Sequence, residues 1–176
     1  YEDGIPMESE RHTLQMDLLL ETLQPWLAQR DNGYVGGNIF VYFTLAQTRD
    51  LHVRGPDVLV VLGVPKGERK SWVVWQEGKA PDVIIELLSD STRDHDKTLK
   101  KRIYLDQLRI PEYYWYDPFN SDDWAGFRMN GLEYQPLTLD ESGRMVSEHL
   151  QLALLRWPGI HRGIKAVWLR WATLQG

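Results

Sequence analysis

The chain has 176 residues, 43% of them hydrophobic and 26% charged, the balance of an ordinary soluble globular domain. That length suits one domain, residues 1–176, with a sizeable core, and neither a membrane-length apolar run nor a signal peptide is legible in it. Cysteine is absent, which excludes disulfides, thiolate ligands and cysteine nucleophiles and makes a cytoplasmic setting the expectation; a formal net charge of −5 counts against a surface coated in base for nucleic acid and leaves room for a local basic groove.

Residues 1–8 read as an irregular arm. Ser9 is placed to cap a helix from Glu10 to Leu27, in which Met16, Leu19, Leu20, Leu23 and Leu27 recur at helical spacing and define one apolar face. Leu14 and Leu18 fall on a nearly opposite side. A helix greasy on two sides calls for cover beyond its own sheet, and a second subunit would supply it. Pro25 distorts the last turn. "YVGGNIFVYFT" reads as a strand beside a Gly-Gly turn, and "RGPDVLVVLGV" as a second strand opened by a turn. "PKGERKSWVVWQEGK" carries a short aromatic strand between charged turns, and "APDVIIELLSDST" is the third core strand. "SDSTRDHDKTLKKRIYLDQLRI" reads as one helix capped by Ser91 or Thr92, with Leu99, Ile103 and Leu108 toward the core. "EYYWYDP" is a further strand ended by Asp-Pro. A β-meander around an Asn-Gly turn follows, and the tail "IKAVWLRWATL" fits a strand or a short helix. This order gives one α/β domain with a mixed central β-sheet flanked by helices.

No phosphate-binding glycine loop, dinucleotide fingerprint, nucleophile-elbow serine or His-Glu-x-x-His occurs. The five histidines (His12, His52, His95, His149 and His161) have no metal-ligand spacing. What remains is carboxylates on strands. Asp57 opens "PDVLVVLGV", and Glu86 sits inside "PDVIIELLS". Alternation puts Ile84, Glu86 and Leu88 on one face and Val83, Ile85 and Leu87 on the other. A carboxylate in a buried strand is costly unless something pairs with it. If the two strands are neighbours, Asp57 and Glu86 point to the same face. Two hard oxygen donors with open positions left over suit Mg²⁺ better than zinc, and Mg²⁺ chemistry is that of phosphodiester hydrolysis. Such a site also wants a cation, which Leu88 cannot supply. The following helix can: Asp96, Lys100 and Tyr104 share one side at four-residue spacing, with Lys97 and Lys101 as adjacent alternatives.

"GPDVLVV", "PDVIIELLSDSTRDHDKTLKKRIY" and "IPEYYWYDP", with "MESERH" before them and "RMVSEHLQLAL" after, resemble in that order the Uma family of endonucleases. The resemblance covers nearly the whole chain. It implies a restriction-endonuclease-like core of the PD-(D/E)XK superfamily and a metal-dependent endodeoxyribonuclease, using Mg²⁺ with Mn²⁺ as a substitute. It implies Asp57 and Glu86 as metal ligands, joined by the backbone carbonyl of Leu87. Lys100 then takes the role of the superfamily lysine whose place Leu88 occupies, and positions the attacking water. Glu21 is the counterpart of a glutamate often found on the first helix.

Each residue also has a plainer reading. Glu86 fits half of a buried ion pair with Lys100 or Lys101, without metal. Asp57 fits a turn cap in Gly-Pro-Asp. Asp82 reads as a strand-entry cap with some support for the site, and "RDHD" as helix-start chemistry. The loop with Lys66, Arg69, Lys70 and Lys79 reads as a solvated hairpin packed on Trp72 and Trp75. The tail with Lys165, Trp168, Arg170 and Trp171 docks on the core or on a second copy of the chain. The competing class is a catalytically inactive nuclease-fold binding or assembly module. For the nuclease, a homodimer would set one site against each DNA strand.

Overall fold

The computed structural model describes residues 9–44 and 55–176, so the expected arm over residues 1–8, and with it Arg54 and His52, lies outside the described residues. Ser9 is extended, and its hydroxyl accepts the N–H of His12, which satisfies one orphan donor at a helix start. Helix α1 (Glu10–Ala28) follows, with Pro25 inside its last turn. Then come β1 (Tyr34–Gly37), β2 (Val41–Tyr42), β3 (Val58–Val61), β4 (Trp72–Val73), the single turn α2 (Val74–Glu77) and β5 (Val83–Leu87). Helices α3 (Arg93–Lys97) and α4 (Leu99–Asp106) lead to β6 (Glu112–Asp117). The meander is β7 (Asn120–Asn130) and β8 (Glu133–Pro136), and the chain closes with β9 (Met145–Ser147), β10 (Leu152–His161) and β11 (Ile164–Thr173).

The central sheet has the order β1-β3-β5-β6-β7-β8. Its pairs are antiparallel except β5 with β6, which run parallel. A parallel pair needs a crossover, and α3 and α4 provide it. The strand alternation read from the sequence separates two cores. Val83, Ile85 and Leu87 join Val58, Val60, Leu19 and Leu23 under α1 and the β9–β11 sheet. Ile84 and Leu88 join Leu59, Val61, Trp72, Tyr104 and Tyr113 on the opposite face, beneath α4 and the β2–β4 pair. Every residue of β5 is buried, so Glu86 lies inside the protein.

Of the second face of the first helix, Leu18 is covered within the chain and Leu14 stays half-buried. Leu19 and Leu23 face the central sheet. Gln15, Leu18 and Thr22 form the next stripe, and it lies along β11. Gln15 donates to and accepts from the Leu169 main chain, and the Thr22 hydroxyl accepts from Trp171 N. No second subunit is needed to cover Leu18, which is buried. The tail is β11 and not a helix, and Trp168 and Trp171 dock on the core.

Three expectations are corrected. "YVGGNIFVYFT" is two strands in two sheets, because Asn38 turns the chain at φ 54 while its N–H donates to the Asp57 carbonyl. The expected aromatic hairpin is instead the short strand β4, paired parallel with β2 and followed directly by α2; Trp72 is buried against Tyr34, and Trp75, in α2, is exposed. The long helix breaks at Thr98 (φ −117, ψ −80) into α3 and α4. Leu99 opens α4 and is 50% exposed, whereas Ile103, one turn later, and Leu108 do reach the core.

The turn before β3 is tight. A Cβ on Gly55 would meet the Ile39 carbonyl oxygen at 1.9 Å. Backbone cannot yield as a side chain can, so Gly55→Ala is expected to lower stability by about 1–3 kcal/mol. Urea unfolding measures this, and an unchanged midpoint would contradict the packing described.

Candidate active site

Strands β5 and β6 end at the same end of the sheet, and β3, antiparallel to β5, begins there. Val58 is registered opposite Ile85, which sets Asp57 opposite Glu86. Residues directly opposed on paired strands share a face, so both carboxylates belong to the side covered by α4. The contacts agree. Asp57 Oδ2 accepts the Leu87 N–H at 2.7 Å, and Asp57 N lies 3.4 Å from Glu86 Oε1. The N–H and C=O of one strand residue leave the same edge, so the Leu87 carbonyl also faces the Asp57 side.

Helix α4 delivers the cation. Lys100 Nζ is 3.2 Å from Glu86 Oε2 and 3.0 Å from Asp96 Oδ1. The Tyr104 hydroxyl donates to Glu86 Oε2 at 2.6 Å. The four-residue stripe expected from the sequence therefore holds across the break at Thr98. Lys97 instead pairs with Asp123, and Lys101 lies over the Phe127 ring at 3.8 Å. Lys100 is the lysine that reaches Glu86.

Burial and the mutual charges of the cluster together set its protonation. Burial opposes the charge of Lys100, but Glu86 and Asp96 outweigh it and raise the pKa above the ordinary lysine value. The ammonium is thus held charged. Burial and the nearby Glu86 carboxylate push the Tyr104 phenol well above its usual pKa, so it remains a donor. Burial first, and Glu86 second, push Asp96 up to about 7 while Lys100 pulls it down.

The consequence for stability has a definite sign. Unfolded Asp96 releases its proton near the ordinary value of 3.8, whereas the folded chain keeps it until about 7. Over that window the folded state binds more protons, so the stability of the metal-free protein falls as pH rises. Asp96→Asn is expected to flatten this fall. Denaturant unfolding of both proteins across the window checks it; parallel curves would contradict it.

Other candidates stand apart from the cluster. Asp82 begins the far end of β5, where its Oδ2 accepts from Leu62 N and Lys79 Nζ; it is a strand-entry cap, as its plainer reading held. Glu21 pairs with Arg162 on the β10–β11 turn, is about half exposed, and has no contact with Glu86. Leu88 is fully buried among apolar residues, so no cation stands at that strand position. Asp96, read as helix-start chemistry, is a buried partner of Lys100. Tyr104 lies on the stripe its spacing predicts and there binds Glu86, a role the sequence does not mark. His12, one of the scattered histidines, is buried with Nε2 2.7 Å from the Leu88 carbonyl, tying α1 to the end of β5. No local signal marks that contact, because the two residues are 76 positions apart.

The donors fit a hard divalent cation. Asp57, Glu86 and the Leu87 carbonyl offer oxygen alone. Among the described residues no group of three or more His, Cys, Asp or Glu is arranged to hold a metal. An ion at this place would keep several waters, as Mg²⁺ does when few protein ligands are present. None of the described helices is long and apolar enough to cross a membrane.

Comparison with known proteins gives the family and the fold. The model of the Uma2 family, described as "Putative restriction endonuclease", matches residues 4–158. A solved structure described as "a putative nuclease belonging to DUF820" from Anabaena variabilis ATCC 29413 superposes with a TM-score of 0.52. It is 17% identical, over 81% of this chain and 80% of that one. No curated protein matches. The shared core is the restriction-endonuclease-like α/β fold, with a mixed sheet flanked by helices. With the family model matched over most of its length, the chain belongs to the Uma2 family.

Proposed function

We propose that the chain is a Mg²⁺-dependent endonuclease that hydrolyses DNA phosphodiester bonds. The observation that carries this reading is the meeting of Asp57, Glu86 and the Lys100 ammonium at one end of the sheet. It lies at the carboxyl ends of the parallel pair β5 and β6, where open α/β sheets place their ligands. Asp57, Glu86 and the Leu87 carbonyl would hold Mg²⁺, or Mn²⁺ in its place. The ion, when bound, supplies Lewis acidity and lowers the pKa of a coordinated water.

The chain's own residues divide the remaining work. Lys100 has a raised pKa, so it is a poor base; a catalytic base needs a pKa near the working pH. It serves instead as a fixed cation that orients the attacking water and stabilises charge on the phosphoryl oxygens. Tyr104, protonated and buried, fixes the Glu86 carboxylate through its hydroxyl. The absence of cysteine supports a reducing, cytoplasmic setting, and two copies would present one site to each strand of duplex DNA.

The rival reading, an inactive nuclease-fold module, is favoured by one observation: Glu86 Oε2 is already engaged by Lys100 and Tyr104. Incubation of the purified protein with supercoiled, linear and single-stranded DNA separates the two. Nicking or cleavage that requires Mg²⁺ or Mn²⁺ and stops with chelator supports the nuclease. No cleavage of any form, together with a gain in stability on Glu86→Gln, supports the module.

A further inference from the structure

We infer that Asp96 is a positioning residue for the proposed hydrolysis, acting through Lys100; this rests on the nuclease reading above. Helix-start chemistry does not explain how Asp96 is placed. In the five residues of α3, Asp94 and His95 are exposed, while Asp96 is turned inward and only 1% exposed. Burying a carboxylate is costly, and Asp96 Oδ1 has Lys100 Nζ, at 3.0 Å, as its ion-pair partner.

The backbone is anchored to aim it there. Asp96 N donates to the Thr92 carbonyl at 2.8 Å. The Asp96 carbonyl accepts from the buried Tyr113 hydroxyl of β6 at 2.7 Å. The helix breaks two residues later, at Thr98. The four-residue spacing sets Asp96 beside Lys100, and the sheet contact from Tyr113 holds the backbone there although the helix breaks at Thr98.

The geometry says what this placement does. A lysine ammonium is a point charge on a flexible four-carbon stem. Held from one side, it would settle fully onto Glu86 and neutralise the carboxylate that is to bind the metal. Held between Asp96 at 3.0 Å and Glu86 at 3.2 Å, it is drawn away from Glu86 and fixed in direction. Asp96 touches neither substrate nor reacting atom; it sets where the cation stands.

The test is a double-mutant cycle in single-turnover DNA cleavage at saturating metal. Asp96→Asn is expected to slow the bond-breaking step by about 10–100-fold, the range seen when an outer partner of a catalytic group is lost, with the KM for DNA unchanged. In a Lys100→Met background the same change is expected to cause no further loss, because its route is already gone. Lys100→Met is itself a destabilised variant, so the rate and KM of Asp96→Asn alone stand as the second measurement. A wild-type rate in Asp96→Asn, an effect confined to KM, or losses that multiply in the double variant would each overturn the inference and leave the nuclease reading intact. A wild type that cleaves no DNA would remove both.

Discussion

Lys100→Met is expected to lower the stability of the metal-free protein by about 3–5 kcal/mol in urea unfolding, the cost of leaving a buried charge without its partner. The reason lies in the order of charges. One ammonium stands between two buried carboxylates, Glu86 and Asp96. Methionine conserves most of the volume and removes only the charge, leaving the two carboxylates facing each other. A proton taken up by Asp96 relieves part of the strain, so the loss should be smaller in mild acid than above pH 8. A matched control is Arg102→Met. Its pair with Asp106 is 70% and 49% exposed, and exposed pairs of this kind contribute about 0–1 kcal/mol. Equal losses for the two variants would mean that Lys100 is a surface charge in solution, and the site as described would be wrong.

Glu86→Gln and Asp57→Asn are expected to reduce DNA cleavage by about 10³-fold or more. A metal's contribution of several kcal/mol to the transition state, taken as about 4 kcal/mol, corresponds to that factor. Both substitutions keep the shape of the side chain. Glutamine at position 86 can still accept the Tyr104 hydroxyl, so the fold should survive and the loss should lie in the chemistry. The single-turnover rate is therefore the quantity to measure, beside a far-UV spectrum and an unfolding curve. Cleavage by Glu86→Gln within a few-fold of wild type would remove Glu86 from the metal site and return it to a structural ion pair.

Much of this site is legible in the chain because its determinants are local. The alternation of "VIIELL" assigns Glu86 and Leu88 to one face, and the two cores divide along that line. The spacing of Asp96, Lys100 and Tyr104 puts them on one helical side, and all three meet around Glu86 Oε2 and Lys100 Nζ. What was not legible is non-local. The break at Thr98 has a faint local mark, a hydroxyl that donates back to the Asp94 carbonyl, and a contact no local pattern shows, Tyr113 on the Asp96 carbonyl seventeen positions away. Leu99 has the spacing of a core residue, yet as the first residue of α4 it lies outside the core. The second face of α1 invited a partner subunit, yet the covering strand is the chain's own β11, more than a hundred residues away. Asn38 ended a strand that the hydrophobic pattern would have continued, because its N–H is claimed by Asp57 across the turn.

The central claim is that Asp57 and Glu86 form a divalent-metal site. Titration calorimetry of Mg²⁺ into wild type, Asp57→Asn and Glu86→Gln tests it most directly. Saturable binding to the wild type is expected, and loss of that binding in both variants. Binding that persists unchanged in Glu86→Gln, or a wild type that takes up neither Mg²⁺ nor Mn²⁺, would contradict it.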